Sequence, residues 1–446
     1  MGGERGARQF FNERGQHLLN LSTRRRWLLF MLVLTAGILN YVDRQIIAVL
    51  KPMISADLGW SDDDYGTLAA WFQGAAAFAF LFTGWIVDRI GVKWSNPLGV
   101  AAWSIAALLH GWATSFTQFI VVRVALGATE AMGTPNQIKT VAAIFPPRLR
   151  STGYGLGNAV SSIGAILTPL LIPAFGAIWG WRAAFVAAGV AGIVWAGIWY
   201  LATRGIPFGA VAEETTETPA EAARAAADAA EEPVRPYGPI LSDRRTWAIA
   251  IAKVLSDATW WLMLFWMPDF FNRTFGLTGT DLGPPLAIAY TGAAVGSVVA
   301  GTVQTRLLGL GWSVNRTRKT VMLVSGLLVA PVVLALFTRD YWTVVLLLAV
   351  ALAGHQGFST SLFALIADVT PHEKVGRVTA FGAFCGNIGG VVISKVAGLV
   401  LTAGLGYLPL FAFASASYLL ALGWIQLLLP RIRAVGVPRA AHAAAH

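Results

Sequence analysis

Sulfur chemistry is almost absent from this chain, which holds one cysteine, Cys385, in 446 residues. No intramolecular disulfide can form, and a cysteine-rich metal centre is excluded. Charge is scarce as well: Asp, Glu, Lys and Arg make up 13% of the residues, where a soluble globular protein carries about 25%. The chain contains no HExxH helix, Walker loop or Cys/His ligand set. No cofactor and no metal are therefore expected, and the chain does not read as an enzyme. The N-terminal GGERGARQFFNERG has no short apolar core followed by a small-residue cleavage site. No removable signal is expected, and the first span should persist as a helix.

What the sequence does have is apolar length. Hydrophobic residues reach 56% and the mean hydropathy is +0.61. Stretches of about 20 apolar residues bounded by charge or Gly/Pro are long enough to cross a bilayer. They predict helices at 27–50, 64–86, 96–114, 117–142, 151–177 and 181–202, then at 246–271, 283–307, 319–338, 342–367, 376–402 and 406–430. Between the two sets, residues 210–236 are rich in Glu, Ala and Pro and too polar to span. The expected fold is an all-α polytopic membrane protein of twelve transmembrane helices in two six-helix bundles. Its parts would be a tail (1–26), a first bundle (27–205), a linker (206–245), a second bundle (246–430) and a C-terminal tail (431–446).

A net charge of +10 could signal nucleic acid, but the placement of the charge argues otherwise. With both termini on one side, the tails, the linker and alternate loops on that side collect nearly all the loop lysines and arginines. The opposite loops hold only Lys51, Arg182, Arg273 and Arg339. That asymmetry is the positive-inside rule and puts both termini in the cytoplasm. The expected surroundings are a lipid bilayer, a bacterial inner membrane, with no nucleic acid and a monomeric state.

The halves echo each other. Gly84 and Arg89 of GWIVDRIGVKW recur as Gly301 and Arg306 of GTVQTRLLGLGW, while Pro146, Gly157, Ile163 and Gly164 recur as Pro371, Gly382, Ile388 and Gly389. Both spacings approach half the chain length, as two parallel repeats would produce.

Gly84, Asp88, Arg89, Gly91 and Lys93 resemble the loop 2–3 signature of the major facilitator superfamily. GWSVNRTRK (311–319), NYVDR in the first helix and RVALGATEAMGTPNQIK (123–139) resemble the anion:cation symporter family within it. AGHQGFSTSLFALIADVTP (353–371) and DATWWLMLFWMPDFF (257–271) look like bacterial hexuronate transporters. One departure is that Thr305 stands where the first half has Asp88, which predicts a second-half gate lacking one charge-assisted contact. The gating residues implied are Gly84, Asp88, Arg89 and Arg306.

Ionisable groups inside a span are costly and therefore functional candidates. Here they are Asp43, Arg44, Arg123, Glu130, Lys253, Asp257 and Lys395. At about 1.5 Å per residue, Asp43 and Arg44 lie about 9–10 Å from the outer end of helix one, and Arg123 about 9 Å from that of helix four. Glu130 follows Arg123 by two turns on the same face. The resemblance implies that helices one and four line one central cavity, so two arginines and two carboxylates converge. Arginine stays charged and offers a planar fork for a carboxylate, while Asp and Glu can carry a dissociable proton. The resemblance implies Arg44 on the substrate carboxylate, Asp43 and Glu130 as proton sites, and Arg123 as the partner of Glu130. The alternative is a permanent ion-pair cluster pinning helix one to helix four.

Sugar hydroxyls would need further contacts, for which Tyr41, Gln356, Ser359, Thr360, Asn387 and Trp260 or Trp261 are candidates, each able to serve helix packing instead. Lys253 and Asp257 read as an i,i+4 pair, Lys395 has no obvious partner, and His355 reads as a packed histidine, with a proton-relay role as the alternative. The expected function is a proton-coupled symporter for an organic anion, foremost a hexuronate. Alternatives are another carboxylate, such as an aldonate or aromatic acid, or anion exchange without a proton.

Overall fold

The computed structural model of the protein describes residues 21–145, 147–206 and 238–432. Residues 1–20 and 433–446 of the expected tails, the linker stretch 210–236 and Pro146 lie outside the described residues. Among those residues the chain is helical, and a helix or a broken helix covers each of the predicted apolar segments.

In the first half these are α1 (Thr23–Val49), α2 (Lys51–Leu58), α3 (Asp62–Ile90), α4 (Val92–Leu109), α5 (Phe116–Glu130), α6 (Gly133–Ile144), α7 (Pro147–Trp179) and α8 (Trp181–Thr203). The short α9 (Gly238–Leu241) leads into the second half. There follow α10 (Arg244–Phe275), a 3₁₀ turn (Gly279–Leu282), α11 (Gly283–Gly309), α12 (Val314–Val329) continued by a 3₁₀ segment (Ala330–Leu336), α13 (Tyr341–Val369), α14 (His372–Thr402) and α15 (Leu408–Leu428). Among the described residues, nine helical stretches are long and apolar enough to cross a membrane by length and composition.

Two segments differ from the expected continuous helices. The fourth is split into α5 and α6, with the break directly after Glu130. The ninth changes to 3₁₀ geometry at Ala330–Pro331, where proline has no N–H to continue the α ladder. Helix starts are encoded locally. Ser61 accepts from the Asp64 backbone N–H at 3.1 Å while Asp64 accepts from that of Ser61 at 2.9 Å. This capping box, with Asp62 and Asp63 in the same turn, suits the positive end of α3.

Packing brings the halves together along α3 against α14, α7 against α11, and α1 against α10. At the α3–α14 crossing, Gly66 meets Gly398 backbone to backbone, and a Cβ on Gly66 would fall 3.0 Å from the Gly398 Cα. Small residues let the two helices approach this closely.

The two ends of the molecule differ. At the end carrying Lys51, ion pairs join the halves. Lys51 Nζ lies 2.7 Å from Asp62 and 2.5 Å from Asp269 of α10. Arg273 bonds both carboxylates, Lys395 of α14 bonds Asp63, and Tyr65 donates to the Phe265 carbonyl at 2.8 Å. At the end carrying Asp88, the ion pairs among the described residues stay within one half: Lys139 with Asp88, and Arg318 with Asp368 at 2.8 Å.

Candidate functional site

Arg44 is the centre of the charged cluster. Its Nε and Nη2 both donate to Glu130 Oε2, at 3.1 and 2.9 Å, and Nη2 also reaches Asn40 Oδ1 at 3.3 Å. The carboxylate is fully buried and the guanidinium nearly so, at 13% exposure. Aromatic faces enclose the cation: its Cζ lies 5.5 Å from the Tyr41 ring, 5.4 Å from Phe72 and 5.2 Å from Trp261. Trp261 belongs to α10, so the first half presents its arginine directly to the second. Such faces attract a cation that has lost its water.

The local fold explains this placement. Because α5 ends at Glu130, the carboxylate sits at a helix break rather than inside a regular ladder. Gly127, one turn earlier, packs on the backbone of Phe72 and draws α5 against α3. Adjacent Asp43 and Arg44 diverge around α1, and Asp43 does not bond Arg44.

The expected partnership of Glu130 with Arg123 is corrected: Glu130 bonds Arg44. Arg123 and Glu130 are two turns apart on one helix, about 10 Å, beyond the i,i+3 and i,i+4 spacings at which side chains meet. Arg123 is buried, lies 5.7 Å from the Phe72 ring, and none of its three guanidinium nitrogens has a protein hydrogen-bond partner. Asp43 is equally buried, with both oxygens unpartnered, and lies within electrostatic range of Glu130 and Arg123. Glu130 Oε1 is unpartnered too. The four predicted residues lie near one another, with one made ion pair and two further buried ionisable side chains within electrostatic range. A buried group without a partner is expensive to keep charged.

The neutral candidates divide. Trp261 faces Arg44, but Trp260 turns into the second half, stacked on His355 at 4.8 Å. His355 Nδ1 lies 2.5 Å from the Tyr418 hydroxyl, the packed role expected of it. Thr360 meets Ser297 at 3.5 Å, and the Asn387 amide donates to its own helix at Ala383 O, at 2.8 Å. Ser359 is buried and Gln356 half-buried on the same helix, α13. A cavity of about 60 Å³ lies beside Asn40 and Tyr41, lined also by Asn96, Trp103 and Gln137. The larger cavity, about 240 Å³, is an apolar pocket at the Lys51 end, lined by Val49, Leu50, Met53 and Pro173 and by none of the four clustered residues.

The gating candidates bond as follows. Asp88 pairs with Lys139 of α6, Arg89 lies 5.6 Å from the Trp85 ring, and Thr305 bonds its own helix at Gly301 O, at 3.0 Å. The i,i+4 pair Lys253–Asp257 forms at 2.6 Å. Lys395, without a partner in the sequence reading, gains Asp63 and, at 2.9 Å, Thr67.

Sequence reasoning missed Lys51, Asp62, Asp63, Asp269, Arg273 and Tyr407, whose hydroxyl lies 2.5 Å from Asp269. The run SDDDY before an apolar segment and an aspartate inside WMPDFF were the available signals. It also missed Gln73, fully buried with neither amide atom partnered, beside Trp261 where both border Gly390. A lone glutamine in WFQGAAAFAF was its signal.

Comparison with known proteins identifies the family. The Major Facilitator Superfamily matches residues 33–309 and 305–444. Similar curated proteins include the D-galactonate transporter of Escherichia coli O6:H1, 27% identical over 93% of this chain and 97% of that protein. The hexuronate transporter of Escherichia coli K12 is 26% identical over 94% and 97%. A probable galactarate/D-glucarate transporter of the same strain is 24% identical over 89% and 93%. Among solved structures, a bacterial homolog of the human lysosomal transporter Spinster, crystallised inward-facing and unoccupied, superposes with a TM-score of 0.70. It is 19% identical, over 92% of this chain and 96% of that one.

Proposed function

This chain belongs to the major facilitator superfamily, a multi-pass integral membrane protein, and on that premise we propose that it is a proton-coupled importer of a six-carbon sugar acid. The relatives named above carry hexuronates, galactonate or, by their names, galactarate and glucarate. The expectation of a hexuronate therefore widens to this class.

The observation that carries the reading is the Arg44–Glu130 pair. Both donors of the fork converge on one oxygen, Oε2, so an ionised Glu130 occupies the arginine that a substrate carboxylate would need. Oε1 is the oxygen left to accept a proton. Protonation removes the charge-assisted part of the bond, which is roughly half its strength, and releases Arg44 to the substrate anion. Proton and anion then load together. Asp43 supplies a second carboxylate within electrostatic reach of the first, and Arg123 offsets the negative charge of both. Trp261, Tyr41 and Gln73 are the ring face and amide best placed for the sugar.

With the Lys51 end outward, as the loop charges indicate, the paired halves close the outer side and the Asp88 end opens to the cytoplasm. Alternating access would exchange these two arrangements, with Asp88 and Lys139 bracing the cytoplasmic end of the first half.

Proteoliposomes with the purified chain, an outward-high proton gradient and a panel of glucuronate, galacturonate, galactonate and galactarate test the reading. Accumulation that collapses with a protonophore is expected. Failure of every sugar acid to accumulate would remove the proposal.

A further inference from the structure

The second half holds an ion pair of its own inside the span, and the mechanism above does not use it. Lys253 Nζ sits 2.6 Å from Asp257 Oδ2, the side chains 9% and 15% exposed. An i,i+4 pair stabilises an exposed helix by a few tenths of a kcal/mol, but α10 is buried along most of its length. Withdrawing two charges from water there costs more than an apolar pair would. The neighbouring helix is shaped to admit the pair. A Cβ on Gly386 would collide with the Asp257 carboxylate, and one on Gly382 would touch Lys253 Cγ at 3.7 Å.

The register of α10 ties this pair to Arg44. Trp261 stands one turn beyond Asp257, about 6 Å along the axis, and its ring is the one 5.2 Å from the Arg44 Cζ. Asp257 also acts electrostatically on Tyr41, whose ring is 5.5 Å from the same guanidinium. Lys253, Asp257 and Trp261 share one stripe of α10, so the ammonium on Asp257 stands about 6 Å along the axis from Trp261, whose ring is a further 5.2 Å from the Arg44 Cζ, and the two cations are on the order of two helical turns apart. A six-carbon chain with bonds of about 1.5 Å spans roughly 6 Å between its terminal carbons, and a charge-assisted hydrogen bond of about 2.8 Å at each end extends that reach to roughly the same distance. The ammonium carries three donors, one of them on Asp257, and its four-carbon stem lets it turn toward a ligand.

We infer that Lys253 is a second carboxylate site: Arg44 takes one end of an unbranched six-carbon sugar diacid, and Lys253, steadied by Asp257, takes the other. This rests on the sugar-acid reading and narrows it to diacids. The ligand would then touch both halves by charge, which a monoacid cannot do.

Equilibrium binding of radiolabelled galactarate and galactonate to the purified full chain tests it, since the two differ only in the second carboxylate. The wild type should bind galactarate about tenfold more tightly. Lys253→Gln should weaken galactarate about tenfold and galactonate less than about twofold, and Lys253→Arg should keep the preference. Equal binding in the wild type, or an equal loss of both ligands in Lys253→Gln, would overturn the inference and leave the pair a strut. Should Lys253→Gln not fold, the wild-type ratio and Lys253→Arg decide. Galactonate bound without galactarate refutes this site alone, whereas binding of neither counts against the sugar-acid reading itself.

Discussion

The Lys51 end and the Asp88 end use the same chemistry to opposite effect. At the first, lysine and arginine reach across from one half to the other: Lys51 bridges Asp62 and Asp269, Arg273 repeats the bridge, and Lys395 finds Asp63. At the second, Lys139 holds Asp88 and Arg318 holds Asp368, each inside its own half. The total of ion pairs does not distinguish a closed end from an open one; which half each partner comes from does. Burial separates the individual pairs rather than the ends: the Lys51 side chain is 4% exposed and Asp88 is 65% exposed, but Arg318 is 12% and Lys395 41% exposed. Desolvated partners cost several kcal/mol when orphaned, and exposed ones cost little.

This contrast can be broken in steps and read with spin labels at Ala56 and Leu405, both exposed at the Lys51 end, in a background lacking Cys385. Lys51→Met leaves Asp269 and Asp62 to share Arg273, with one buried negative charge in excess, and should weaken the closed end by about 3–5 kcal/mol. The label separation should lengthen; an unchanged distribution would show that Lys51 closes nothing. Asp269→Asn leaves Lys51 on Asp62 and should cost about 1.5–3 kcal/mol, giving a smaller open population. Lys395→Gln removes a half-exposed pair worth at most about 1 kcal/mol, so its distribution should overlap the wild type. Asp88→Asn should leave these labels unmoved and lower thermal stability by less than about 1 kcal/mol. A longer separation in that variant would mean that the two ends are coupled through the first half.

The helices and their order were readable from apolar length, and the convergence of Asp43, Arg44, Arg123 and Glu130 from depth along two helices. Their bonding was not. Depth places Arg123 and Arg44 equally near Glu130, but seven residues along one helix keep Arg123 from reaching it, and which residue of another helix does so, Arg44 of α1, depends on how α1 packs against α5. Trp260 and Trp261 are indistinguishable in sequence, since the 100° between neighbours on a helix sends one to His355 and the other to Arg44. The lock at the Lys51 end was hidden for another reason. Lys51 and Asp269 are 218 residues apart, and loop charge that identifies a membrane side carries no information about its partner. Lys253–Asp257 was legible because four residues on one helix fix the geometry locally.

The account turns on Glu130 giving up Arg44 when it takes a proton, and one measurement addresses that directly. Liposomes containing the wild type or Glu130→Gln, with a pH dye inside, receive whichever sugar acid the wild type transports, with counterflow of the labelled acid followed in parallel. The account predicts that the acid lowers the internal pH in the wild type. Glu130→Gln should show no acidification while keeping counterflow, because a neutral amide leaves Arg44 available but carries no proton. Acidification by Glu130→Gln at the wild-type rate would contradict it.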